Sequence, residues 1–73
     1  MEDLRPRWAA NLVEARKAAE LTQEQVADEI GVSQQAVVQW EKGQTRPTPE
    51  RQAQLVALFD VDPRELFPLE VAS

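Results

Sequence analysis

The chain has 73 residues, 8 of them basic and 13 acidic, for a formal net charge of −5. That length allows one domain with a marginal core, and the acidic balance argues against indiscriminate attraction to nucleic acid or anionic membranes. Cysteine and histidine are both absent. Their absence removes disulfides, thiolate metal sites and the commonest proton shuttle, so neither an enzyme nor a cofactor is expected. No apolar run approaches the roughly 20 residues of a membrane span and the first residues lack a signal-peptide pattern, so the expected location is cytoplasmic.

Apolar spacing is helical nearly throughout. Trp8, Leu12, Ala15 and Ala19 form one stripe, with Val13 beside it, which predicts a first helix from near Pro6 to Ala19. Thr22 and Gln25 have the spacing of a capping box, so a second helix starts there, with Val26, Ala27 and Ile30 inside. Gly31 stops it, since glycine enters the left-handed conformation of a helix end without steric cost. Ser33 is the next N-cap, for a third helix through Trp40 or Glu41 that ends at Gly43. Val37 and Trp40 point inward from it, while Gln34, Gln35 and Gln39 cannot all do so. "QTRPT" is a loop. Thr48 with Pro49 opens a fourth helix, buried through Leu55, Val56, Leu58 and Phe59. Asp62 and Pro63 repeat the signal for a last short helix over Leu66 and Phe67. The expectation is an all-α, five-helix single domain spanning residues 1–73.

Two helices joined by one glycine-centred turn, Thr22–Ile30 and Ser33–Glu41, have the layout of a helix-turn-helix. The small Ala27 lets the second helix cross closely over the first, and Val32 and Val37 fill the angle between them. Taken alone, the glutamines fit a solvated polar face. They also offer a donor and an acceptor without charge, and a glutamine can bond adenine bidentately. Charge is distributed to suit the second use. Residues 31–49 carry Lys42 and Arg46 against Glu41 alone, whereas residues 1–30 and 50–73 are each net −3.

The run "ARKAAELTQEQVADEIGVSQQAVVQWEKGQTRPT" resembles the helix-turn-helix domains of phage repressors, Cro proteins and restriction–modification controllers, the XRE type. "RQAQLVALFDVDPRELF" is similar to that family's fourth and fifth helices, so the resemblance covers roughly residues 10–67. It implies a lambda-repressor-like five-helix domain. Its third helix enters the DNA major groove, usually as a homodimer on a palindromic operator. Gln34 and Gln35 match its first base-contacting positions, and Gln39 a later one facing base or backbone. Gln23 matches a glutamine that contacts phosphate and braces the first recognition side chain. Lys42, Gln44 and Arg46 fall in a loop that touches the backbone. Thr22 and Ser33 stand at helix N-termini, which offer free amides to phosphate. Arg16 and Glu41 match a pair that often forms an internal ion pair.

Glu24 and Asp28 lie one turn apart on the second helix, where some resembling repressors keep acids that touch RNA polymerase. Solubility is the plainer use of such a strip. Phe67, Leu69 and Val71 make the C-terminus more apolar than a free tail should be, which suits a dimer contact. The rival class is a protein-interaction module on the same fold, such as an antitoxin, antirepressor or adaptor, because fold alone does not fix function.

Overall fold

Among the described residues, 4–69 of a computed structural model, five helices follow one another. They are α1 (Arg7–Ala18), α2 (Gln23–Ile30), α3 (Gln34–Lys42), α4 (Pro49–Phe59) and α5 (Pro63–Leu66). Four begin with a side chain that accepts from an otherwise unpaired amide. Thr22 Oγ1 accepts from the Gln25 amide at 3.0 Å, and Gln25 Oε1 accepts in return from the Thr22 amide at 2.8 Å. Ser33 Oγ accepts from Ala36 at 3.1 Å, Thr48 Oγ1 from Arg51 at 3.3 Å and Asp62 Oδ1 from Arg64 at 2.8 Å. Only α1 lacks a side-chain cap. It follows Pro6 and carries Arg16 and Lys17 in its last turn, where cations suit the helix dipole.

Four helices end in one kind of turn. Glu20, Gly31, Gly43 and Asp60 all have positive φ, from 54° to 85°. The next residue's amide then reaches back to a carbonyl five positions earlier: Leu21 to Arg16, Val32 to Ala27, Gln44 to Gln39 and Val61 to Val56. Orphan carbonyls are thereby satisfied in very few residues. Short connections result.

Helices α1 and α2 both pack against α3. The core joins Trp8, Ala9 and Leu12 of α1 to Val26, Ala27 and Ile30 of α2 and Val37 and Trp40 of α3. Leu55, Phe59 and Leu66 close it from α4 and α5. Val56 and Leu58, expected inside, are only half-buried against it. Side chains also fasten one helix to the open carbonyls of another. Asn11 Nδ2 donates to the Glu65 and Leu66 carbonyls at 2.9 and 3.2 Å, tying α1 to α5. Arg51 Nη1 donates to the Ile30 carbonyl at 3.1 Å, tying α4 to the end of α2. Three ends differ from expectation. Helix α1 stops at Ala18, one residue early, and α3 runs on to Lys42, up to the expected left-handed turn at Gly43. Helix α5 stops before Phe67, whose φ is −123°.

Candidate nucleic-acid interface

Helix α3 is fixed on its inner side by Val37 and Trp40, which leaves Gln34 and Gln35 exposed and Gln39 half-buried on the outer side. Lys42 is exposed at its far end. The hydroxyls of Thr22 and Ser33 are engaged as acceptors of helix amides, and each retains its own proton for a further acceptor.

Beneath this surface lies the one buried charged residue among the described residues, Glu41, 6% exposed. Arg16 Nε donates to its Oε2 at 2.7 Å and Arg16 Nη2 to its Oε1 at 3.2 Å, a two-pronged pair across 25 positions of chain. Arg16 Nη1 also donates to the Leu21 carbonyl at 3.0 Å, just before α2. Gln23 Nε2 completes the group by donating to Glu41 Oε1 at 3.0 Å. Its side chain thus turns toward α3, and the second N–H on that nitrogen remains for a further acceptor. The network joins the end of α1, the start of α2 and the end of α3. It fastens these three segments to one another.

The loop after α3 is equally constrained. A Cβ placed on Gly43 would meet Pro6 Cδ at 2.5 Å, so the start of α1 closes directly over this turn. Arg5 Nη1 donates to the Glu41 carbonyl at 3.2 Å from the same side. Gln44 and Arg46 are exposed, and Pro47 between them and α4 is buried, with its carbonyl held by Gln52 Nε2 at 2.8 Å. The Arg46 guanidinium carbon lies 5.6 Å from the ring centroid of Trp8 and 5.9 Å from that of Phe67.

Comparison with protein families matches residues 12–66 to the helix-turn-helix family. The chain belongs to the XRE-type helix-turn-helix family. A solved structure, the restriction-modification controller protein C.AhdI from Aeromonas hydrophila, is similar at 33% identity with a TM-score of 0.76. The match covers 84% of this chain and 92% of that one. Comparison with curated proteins gives no match. The family and this likeness make the chain a DNA-binding transcriptional regulator.

In this helix-turn-helix the base-facing candidates Gln34 and Gln35 and the backbone candidates Lys42 and Gln44 share the exposed side of α3 and its following loop. Arg46 is different, since its side chain leans toward α1 and the end of α5. Glu24 and Asp28 are exposed one turn apart on α2. Phe67 is half-buried, Leu69 is 88% exposed, and Val71 lies outside the described residues. Asn11, Arg5 and Arg51 were not singled out by sequence. Each acts on a main-chain carbonyl, which leaves no pairing signal in residue types. No helix of the described residues is long and apolar enough to cross a membrane.

Proposed function

We propose that this regulator is sequence-specific and acts as a repressor, covering a promoter as a homodimer on a palindromic operator with α3 in each major groove. The observation that carries the reading is α3 itself. It has one face locked into the core by Val37 and Trp40, while uncharged Gln34 and Gln35 stand exposed at its N-terminal end. A recognition helix reads base edges with its first residues, and an amide side chain reads them without the indiscriminate pull of a charge. The +1 balance of residues 31–49 keeps most of the acid outside the segment that would meet DNA. The likeness to a restriction-modification controller supports the same class of regulator.

An apolar groove between α4 and α5 supports the second copy. Ala53, Val56, Phe67 and Leu69 are among its lining, with Gln52 and Arg64 as its polar members. So large an exposed side chain as Leu69 at its rim suits burial against another subunit.

Gln34→Ala or Gln35→Ala is expected to weaken operator binding by about 1–3 kcal/mol while leaving affinity for random duplex nearly unchanged. Fluorescence anisotropy on both DNAs measures it. Equal losses on the two would refute base readout by these residues.

A further inference from the structure

Trp8, Arg46 and Phe67 come from three separate parts of the chain and meet in one cluster. The two ring centroids are 6.4 Å apart with planes inclined by 31°, and the guanidinium lies within 6 Å of both. The rings are held independently of the arginine. Trp8 is 6% exposed within the core, and the Phe67 amide donates to the Pro63 carbonyl at 2.8 Å to close α5. The arginine's own backbone is pinned by buried Pro47, whose carbonyl Gln52 holds. Arg46 is nonetheless exposed, and among the described residues it has no carboxylate in ion-pair range.

An arginine lying on aromatic faces keeps its N–H edge outward, and that edge matches two phosphate oxygens. A free arginine loses much rotamer freedom when it grips a phosphate, and a platform that has already restricted it lessens that loss. From this geometry we infer that Phe67 and Trp8 are positioning residues for DNA, holding Arg46 as a pre-set phosphate clamp beside the recognition helix. The inference rests on the reading of Arg46 as a backbone contact. It adds that the residue closing α5 tunes DNA affinity through that arginine.

Phe67 also lines the α4–α5 groove, so a single variant would not separate the clamp from subunit contact. A double-mutant cycle does. Affinity for a fixed random-sequence duplex is measured over a range of salt for the full chain, Phe67→Leu, Phe67→Tyr, Arg46→Ala and Arg46→Ala with Phe67→Leu. Phe67→Leu should weaken binding about threefold per subunit, the worth of an exposed cation–π contact, with the salt slope unchanged because the charge remains. Phe67→Tyr keeps a ring and should restore wild-type affinity. Arg46→Ala should weaken binding further and flatten the slope by about one per subunit. The double variant should bind like Arg46→Ala alone.

If Phe67→Leu weakens binding as much without Arg46 as with it, the phenylalanine acts by another route and the clamp is refuted. Unchanged affinity in Phe67→Leu, with a loss in Arg46→Ala, refutes it equally. Unchanged affinity and slope in Arg46→Ala would overturn the underlying phosphate contact itself.

Discussion

Glu41→Ala is expected to cost about 3–5 kcal/mol of stability, because truncating one partner of a buried ion pair abandons the other. The carboxylate accepts three bonds, two from Arg16 and one from Gln23, and the side chains of the pair are only 15% and 8% exposed. Removing it leaves the half-buried Arg16 guanidinium with only the Leu21 carbonyl opposite Nη1, and leaves the Gln23 amide without its acceptor. Small domains have roughly 5 kcal/mol or a little more in total, so the variant would lose most of its stability. Followed by circular dichroism, its melting temperature should fall by at least about 12 °C, at 4–8 °C per kcal/mol for a chain of this size. An unchanged melting temperature would show that the pair is not needed to hold α1, α2 and α3 together.

The second large effect is expected at Gly43. Its φ of +75° is a conformation that a side chain disfavours by about 1–2 kcal/mol. A new Cβ would also stand 2.5 Å from Pro6 Cδ and 3.3 Å from Cγ, and a proline ring cannot swing aside. Gly43→Ala must therefore displace the start of α1 or the turn, adding about 1–3 kcal/mol of overpacking. Gly31 is the internal control: its φ is +85°, but nothing lies within 4 Å of the added atom. Gly31→Ala should show the backbone strain alone. Urea denaturation of both variants should rank Gly43→Ala clearly below Gly31→Ala. Equal losses would mean that the contact with Pro6 relaxes freely.

The helix starts were legible because capping is a local matter. Thr22 with Gln25, Ser33, Thr48 with Pro49 and Asp62 with Pro63 each mark a start by residue type and short spacing. Helix ends were legible only at the glycines. Glu20 and Asp60 adopt the same left-handed turn without advertising it, and Glu20 is of a type that rarely does so.

The candidate interface divides in the same way. Gln34 and Gln35 stood out because the apolar spacing of Val37 and Trp40 fixes which side of α3 faces outward. Arg16 and Glu41 are 25 positions apart, and only a resemblance to known domains brought them together. The bond from Gln23 to Glu41 and the leaning of Arg46 onto Trp8 and Phe67 came from the folded arrangement alone. Neither has a periodicity or a motif. They depend on where α1 and α5 finally pack.

Selecting bound duplexes from a random pool at moderate salt and sequencing them asks directly whether α3 reads base edges in a two-fold complex. The expected result is two inverted half-sites whose centres lie one helical turn apart or a multiple of it, about 10 base pairs or its multiples. Bound DNA no different from the input pool would contradict it and favour a protein-interaction role for this fold.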